Sequence, residues 1–242
     1  YYLWAISCNN ERTANQLSFV KQHASVHLVP SIKNFKEIKL RLLNGTHTFS
    51  CAAAIIAGFT TVKEAMANDT FRRFVYRLTQ EIISCMDDPE LDKKELERFA
   101  SQVLNRFANP FLEHRWESIS LNYTTKMRMR NVPLLLKSKE LAGCPLSSMS
   151  LGFAAYLLLM RSKESAGQYI QDAYGPSITL QDDQAAKLFI YSQQGHEGLV
   201  KLLEDREIWG ANLMDIPDFA EQVQRDKHAI VQNGFLKAFE EK

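Results

Sequence analysis

The chain has 242 residues, enough to bury a substantial hydrophobic core in one large domain or two small ones. Its composition, 45% hydrophobic and 24% charged, is typical of a globular protein and not of a disordered one. The formal net charge of +1 gives no strong field to attract nucleic acid or an anionic membrane, and the longest apolar run, residues 51–59, is about half of what a membrane-spanning helix needs.

The first thirty residues predict two short strands. Residues 1–6 (YYLWAI) and 26–29 (VHLV) are apolar, β-favouring runs, and a polar stretch separates them. Because two isolated strands do not form a stable sheet, we expect them to complete a sheet whose other strands lie upstream. The chain begins with Tyr1 instead of Met and shows no secretion-signal pattern, so we interpret its start as a cut.

The helical pattern begins at about residue 34. Asn34 and Glu37 have the spacing of a capping box, and apolar residues then recur at helical spacing. Gly45 is a weak point of this helix, which either tolerates the glycine or brings another group close to it. Small residues continue to Ala57, and Gly58 is expected to end the helix in a left-handed cap.

Further helices are predicted by apolar periodicity and capping residues. Asp69 and Asp92 are expected to cap two long amphipathic helices, and Asp182 or Asp183 a later one. The predicted helices cover residues 61–67, 69–86, 92–107, 112–127, 149–160, 182–194, 195–204 and 219–239. Residues 161–176 are polar, with glycine and proline, and predict a long loop. The body, residues 34–242, is therefore predicted to be a mainly α, multi-helical domain.

The four cysteines lie far apart and form no C-x-x-C pair. They are Cys8, Cys51, Cys85 and Cys144. In a chain of this size we expect reduced core thiols rather than a disulfide framework or a zinc site. That cysteine usage indicates a cytoplasmic protein, and no His, Cys, Asp and Glu grouping in the sequence suggests a metal.

A polar trio stands out among the apolar residues of the first helix. Lys39, Asn44 and His47 span an arc of roughly 140° on an α-helix, so they can face one cleft. Ile38 and Leu43 are placed to desolvate the lysine, which favours its use as a proton shuttle. The amide can donate a hydrogen bond to an oxygen that gains charge, and the imidazole can orient a hydroxyl.

The same three residues also fit a structural interpretation. Lysines usually face solvent, Asn-Gly is a common turn, and a single histidine is more often structural than functional. K-x4-N-x2-H is a short pattern with a real rate of chance matches. Spacing alone therefore leaves both interpretations open.

The segment at residues 39–47, KLRLLNGTH, resembles the signature of the mannitol dehydrogenase family of polyol-specific long-chain dehydrogenases. Within that family the chain is most similar to the branch of tagaturonate reductases, also called altronate oxidoreductases. The resemblance extends over most of the chain, with its weakest part at residues 138–180. The other segments that carry it are residues 1–6, 62–66, 99–114, 119–130, 181–183 and 215–223.

The resemblance implies a helical substrate domain that follows an NAD-binding Rossmann domain. Residues 1–33 would be the tail of that domain. The chain lacks the dinucleotide-binding motif G-x-G-x-x-G, as we expect if that motif belongs to the upstream part of the Rossmann domain. By the same resemblance, Lys39 is the general acid/base, Asn44 polarises the carbonyl, His47 contacts substrate, and no metal is required. We expect the chain without its Rossmann domain to be inactive, and its partners to be that domain and a sugar-acid substrate, not nucleic acid or a membrane.

A uronate substrate also needs a cation for its carboxylate. Lys126 and Arg128 are the candidates, with Arg130 as a weaker one, since guanidinium groups suit carboxylate capture. A solvated basic face at a helix end explains the same residues equally well. His114 could line the cleft or serve in the core or at the surface.

Two other functions remain open from the sequence. Within the class, the substrate could be fructuronate or an uncharged polyol such as mannitol. In a different class, the chain could be a non-catalytic helical module for protein interaction, in which case Lys39 would be solvated and distant from any cleft.

Overall fold

The computed structural model describes residues 4–140 and 146–242 and is mainly helical, as predicted. The strands are β1 (Trp4–Ser7), β2 (Val26–Val29), β3 (Lys163–Ser165), β4 (Gln168–Gln171) and β5 (Ile178–Thr179). The α-helices are α1 (Glu11–Gln16), α2 (Lys33–Ile38), α3 (Thr46–Ile56), α4 (Val62–Ala67), α5 (Asp69–Cys85), α6 (Lys93–Phe107), α7 (Trp116–Ile119), α8 (Tyr123–Arg130), α9 (Val132–Glu140), α10 (Ser147–Leu159), α11 (Ala185–Ser192), α12 (Gly195–Glu204), α13 (Arg206–Trp209), α14 (Phe219–Asn233) and α15 (Phe235–Glu240).

The first two strands form a parallel pair joined by a helical crossover. Trp4 lies opposite Val26, and Ser7 lies opposite Val29. Parallel neighbours require such a crossover, and here it contains α1 and a short 3-10 helix over Ser18–Gln22. Both predicted strands are thus confirmed, although residues 1–3 of the first lie outside the described residues.

The helix predicted from Asn34 to Ala57 forms, but it is not uniform. It consists of α2, a π-helical segment over Lys39–Gly45 and then α3. The predicted capping box is wrong, because α2 begins before Asn34, whose amide donates instead to the carbonyl of Glu90 at 3.3 Å. Gly58 ends the helix at a positive φ of 87°, which confirms the predicted left-handed cap.

The central helix of the core is α10. Every residue of α10 after Ser147 is buried, and the helix packs against α3, α5 and α14. Gly152 permits the close approach to α3, since a Cβ added there would lie 2.9 Å from the carbonyl oxygen of Phe49. Real Cβ atoms essentially never come that close to a backbone atom, so the two helices would have to separate.

We expect Gly152→Ala to destabilise the protein by about 1–3 kcal/mol, the usual cost of overpacking a core. At an exposed helical position, the same substitution stabilises a protein by about 1 kcal/mol instead. The sign of the change in unfolding free energy therefore distinguishes a tightly packed glycine from an exposed one. Urea unfolding of the two proteins measures it, and a Gly152→Ala variant more stable than the parent would contradict the packing described here.

The region predicted as one helix over residues 112–127 is two short helices, α7 and α8. Asn122 breaks the helix by adopting a left-handed conformation with φ of 47°. The carboxylate of Asp182 accepts the backbone N–H of Thr124 at 2.7 Å, and it also accepts that of Gln184 at 2.9 Å. Asp182 therefore accepts hydrogen bonds from the first turn of α8 and from the residue that precedes α11. The N-cap residue of α11 is Gln184, so the predicted aspartate cap is wrong.

The predicted loop over residues 161–176 is also corrected by the structure. Strands β3, β4 and β5 form an antiparallel sheet here. Ala166 and Gly167 connect β3 to β4, both with positive φ, as tight two-residue hairpin turns often require. Gly234 likewise divides the last predicted helix into α14 and α15.

The cysteines differ in state. Cys8 and Cys51 are free thiols, as predicted. Cys85 is disulfide-bonded, so the prediction of reduced thiols is wrong there, and Cys144 lies outside the described residues. In the part of the chain that the structure describes, no helix combines the length and apolarity needed to cross a bilayer.

Candidate active site

The π segment, Lys39–Gly45, carries two members of the polar trio. Hydrogen bonds in a π-helix join residues five apart, which is the spacing of Lys39 and Asn44. His47 follows Asn44 by three residues in α3, which keeps it on the same side. Segments of π-helix are frequent at functional sites.

Arg41 fastens the π segment to the end of α8. Its guanidinium is buried and donates to the carboxylate of Glu37 at 2.7 Å, and to the backbone carbonyls of Met129 at 2.8 Å and Arg130 at 2.7 Å. Carbonyls at a helix end lack intrahelical partners, so this contact satisfies them and neutralises the negative end of α8. The segment is thus held rigidly against the helix that carries the basic residues.

Gly45 is required by a close approach. A Cβ at this buried position would lie 3.1 Å from the side-chain oxygen of Asn131. The sequence left open whether the helix tolerates Gly45 or brings another group close to it. The structure supports the second alternative, with Asn131 as the neighbouring group.

Asn44 and His47 open into one cleft with a volume of about 440 Å³. The walls come from the π segment, α4, α6 and the segment before α7. The other lining residues are Leu43, Val62, Arg106, Phe107, Leu112, Glu113 and His114. The cleft is large enough for one sugar-sized molecule, and His114 does lie along it.

Lys39 lies on the same helical stretch but is exposed, and it is not among the residues that line this cleft. Ile38 is buried in the core and Leu43 faces the cleft, so neither covers the lysine. The predicted desolvation of Lys39 by these two neighbours is therefore wrong. The structure brings Asn44 and His47 together and leaves Lys39 open to solvent.

His47 is held as a neutral imidazole. Its ring stacks on Phe107, with centroids 3.9 Å apart and planes 6° apart, and it meets His114 and Trp116 edge-on. Burial lowers the pKa of His47 to about 3, with further lowering by His114, Arg130 and Arg106. Its Nε2 atom is buried and finds no hydrogen-bond partner within residues 4–140 and 146–242. A buried polar atom without a partner is costly, so a ligand hydroxyl would complete it.

The low pKa of His47 has a consequence for stability against pH. The folded state binds the imidazole proton less tightly than the unfolded chain, whose pKa is about 6.5, so acid favours unfolding. We expect stability to be complete above about pH 6.5 and to fall as the pH drops toward 3. Between pH 7 and 5 the loss due to His47 is about 2 kcal/mol.

Urea unfolding at several pH values, on the parent and on His47→Gln, measures this contribution. Between pH 7 and 5, the free energy of unfolding of His47→Gln should fall by about 2 kcal/mol less than that of the parent. An NMR titration in which the His47 ring gains its proton near pH 6.5 would contradict the assignment.

The basic residues of α8 point in two directions. Lys126 donates to the carbonyl of Ile119 at 3.0 Å, and Arg130 donates to the hydroxyl of Thr48 at 3.2 Å, one residue from His47. Burial, together with Arg130, lowers the pKa of Lys126, and burial lowers the pKa of Arg130. Lys126 and Arg130 are one helical turn apart, so they share a face.

Arg128 faces elsewhere. It is exposed, its guanidinium donates to the carbonyl of Glu207 at 3.1 Å, and it lies against Gly210. The predicted pairing of Lys126 with Arg128 is therefore not the one that the structure brings together, and Arg130 takes the place of Arg128 beside His47.

Sequence reasoning missed the contributions of α6 to the cleft. The sequence marks Phe107 only as the last apolar position of an amphipathic helix, and it gives no signal that singles out Arg106. Their proximity to His47 depends on how α6 packs on the π segment. In the described residues, no three His, Cys, Asp or Glu side chains come together as a metal site would need.

The geometry can be compared with known proteins. The family described as "Mannitol dehydrogenase C-terminal domain" matches residues 31–231. Altronate oxidoreductase of Pectobacterium carotovorum is 33% identical over 251 aligned residues, which cover 99% of this chain and 50% of that protein. Altronate oxidoreductase of Escherichia coli O139:H28 is also 33% identical, with coverage of 98% and 49%. The chain spans about half the length of these curated relatives.

Two solved structures share the fold. Mannitol 2-dehydrogenase of Pseudomonas fluorescens, in a ternary complex with NAD and D-mannitol, has a TM-score of 0.76 at 20% identity, and the match covers 90% of this chain and 42% of that one. D-sorbitol dehydrogenase in substrate-free form has a TM-score of 0.65 at 17% identity, with coverage of 88% and 42%. The match over residues 31–231 is decisive: the chain belongs to the mannitol dehydrogenase C-terminal domain family.

Proposed function

We propose that this chain is the substrate domain of an NAD-dependent oxidoreductase that interconverts a keto sugar acid and a sugar acid, tagaturonate and altronate. The observation that carries the proposal is the cleft at Asn44 and His47, where a buried imidazole nitrogen lacks a partner. The similarity to altronate oxidoreductases along 99% of the chain supports this choice of substrate.

In the direction of reduction, Lys39 protonates the substrate oxygen while the ketone carbon accepts a hydride. NADH, when bound by the NAD-binding domain, would supply that hydride. The amide of Asn44 donates a hydrogen bond to the same oxygen as it gains negative charge, an interaction worth most in a site without water. The neutral ring of His47 hydrogen-bonds a neighbouring hydroxyl through Nε2 and fixes the substrate's orientation.

The exposure of Lys39 fits this mechanism only if another part of the protein closes over it. We propose that residues 1–33 belong to an NAD-binding domain and that this domain covers Lys39. The parallel β1–β2 pair with its crossover supports the assignment, since Rossmann domains are built from such units. The cleft-lining residues include no glycine-rich turn at a helix N-terminus, so the pyrophosphate of NAD is assigned to that domain.

We assign the substrate carboxylate to Lys126 and Arg130, which, like Lys39, are not among the residues that line the cleft in this chain. They share one face of α8, Arg130 contacts Thr48 next to His47, and both are partly buried. A partly desolvated cation gains more from a carboxylate than an exposed one does. Arg128 was the stronger candidate from the sequence, but its guanidinium is engaged at Glu207.

We expect the full-length protein to turn over tagaturonate at least about tenfold more efficiently than fructose, which lacks the carboxylate. Arg130→Gln should lower kcat/KM for tagaturonate by about ten- to a hundredfold and barely change the value for fructose. Arg128→Gln is the matched control on the same helix and should stay within about twofold on both. Steady-state kinetics with NADH measures all three proteins, and equal turnover of the two sugars would contradict the proposal.

One observation favours a second candidate, the non-catalytic interaction module. That hypothesis expects a solvated Lys39 away from a cleft, and Lys39 is exposed and absent from the cleft lining. The two candidate functions differ in one prediction. Lys39 is needed for turnover by the full-length protein if the chain is an oxidoreductase domain, and it is not needed if the chain is an interaction module.

A further inference from the structure

A second cavity, of about 250 Å³, lies at the end of α10 among α11, α12 and α14. It shares no lining residue with the cleft at Asn44 and His47. Its walls are apolar, formed mainly by leucines such as Leu157, Leu188 and Leu199, one from each of three helices. Its polar rim carries Arg161, Lys227, His196 and Gln224, and no aspartate or glutamate of the described part of the chain lines it.

Within residues 4–140 and 146–242, no carboxylate forms an ion pair with either of the two cations of this cavity. Neither Arg161 nor Lys227 has a side-chain ion pair or hydrogen bond in the residues that the structure describes. Lys227 is only partly accessible, and burial, followed by the charge of Arg161, lowers its pKa. Two adjacent cations in a partly apolar setting repel one another, and an anion between them would relieve that repulsion.

The carboxylate of Asp205 contacts Tyr191, one of the residues that line the cavity, and is already engaged. It accepts the tyrosine hydroxyl at 2.9 Å and the backbone N–H groups of Glu207 and Ile208, and it lies 3.6 Å from the ammonium of Lys187. Asp205 therefore has its own partners and forms no ion pair with Arg161 or Lys227.

The first turn of α12 completes the rim. His196 lines the cavity, and the side chain of the N-cap residue Gln194 accepts from Lys201 at 3.2 Å and caps no backbone N–H of the helix. The first turn also carries Glu197, which pairs with Lys201 at 2.8 Å. Gly198 holds α12 against α11, because a Cβ there would lie 1.9 Å from the carbonyl oxygen of Tyr191. The positive end of α12 is thereby fixed beside the two cations.

We propose that this cavity binds a small organic anion with an apolar body, of the class of medium-chain carboxylates. The carboxylate lies between Lys227, Arg161 and the first turn of α12, and the alkyl chain lies among the leucines. At roughly 30 Å³ for each non-hydrogen group, the cavity holds about eight such groups, which is the size of hexanoate. The site is independent of the proposed dehydrogenase activity.

Isothermal titration of the full-length protein with sodium hexanoate tests the proposal, with 1-hexanol and inorganic phosphate as the uncharged and the non-apolar probes. We expect one saturable hexanoate site, and binding at least about tenfold weaker for each of the other two probes. Lys227→Gln should weaken hexanoate binding at least about tenfold, and Arg161→Gln, at the exposed rim, should weaken it severalfold.

Lys237→Gln is the control, because the exposed Lys237 lies on α15, is not among the residues that line the cavity and has its ammonium 3.7 Å from the carboxylate of Glu241. This variant should bind hexanoate like the parent. The proposal is overturned if hexanoate shows no saturable binding, if hexanol or phosphate binds as tightly, or if Lys227→Gln and Arg161→Gln both leave binding unchanged. The melting temperature of each variant shows that the fold is intact.

Discussion

Replacing Lys39 with methionine is expected to lower kcat of the full-length protein by about 10²- to 10⁴-fold, the usual contribution of a general acid/base. Methionine keeps most of the length and flexibility of the side chain but cannot donate a proton. Because Lys39 is exposed in this chain and packs little against the core, the loss should appear in kcat with little change in stability. The measurements are steady-state kinetics with tagaturonate and a melting curve.

Lys36→Met is the control for this substitution. Lys36 is exposed, lies one turn earlier in α2 and lines neither of the two cavities discussed here. We expect its kcat to stay within about twofold of the parent. A Lys39→Met protein with parental kcat would remove the lysine from the mechanism and favour the interaction module.

Asn44→Ala is expected to lower kcat by about 10²- to 10³-fold, the cost of removing one hydrogen-bond donor from a developing oxyanion. KM should change much less, since the amide acts mainly when the oxygen gains charge. Asn44→Asp should be more harmful still, because a carboxylate at this place repels the same charge. Asn44 is half-buried on the cleft wall, so neither change creates a core cavity.

Asn105→Ala serves as the comparison for Asn44→Ala. Asn105 is exposed on α6 and is not part of the cleft at Asn44 and His47. Its removal should leave kcat and KM near the parental values. If Asn44→Ala raised KM and left kcat unchanged, Asn44 would bind the ground state and the transition state equally, contrary to the proposed role.

The long amphipathic helices could be predicted from the sequence because one physical signal determines them. In α6, the apolar stripe and the cap agree, and Asp92 does accept the backbone N–H of Lys94 at 3.0 Å. The β3–β4 hairpin gave no such signal. All three residues of β3 are exposed, so its sequence lacks the alternation of apolar and polar residues that indicates a strand.

Helical spacing also predicted part of the candidate site. Asn44 and His47 could be placed together from helical spacing, since both belong to one continuous stretch. The π segment could not, because its hydrogen bonding depends on tertiary contacts such as those of Arg41 with the end of α8. Whether Arg128 or Arg130 lies beside His47 depends on how α8 is rotated about its own axis. The left-handed conformation of Asn122, at the start of α8, sets that rotation.

The most direct test of the central claim is a crystal structure of the full-length protein with NAD and altronate bound. We expect the oxygen of the reacting carbon to lie about 2.7–3.2 Å from Nζ of Lys39 and from the side-chain amide of Asn44, with a substrate hydroxyl on Nε2 of His47. A complex in which the sugar acid occupies another cleft while Lys39 stays in solvent would contradict the account.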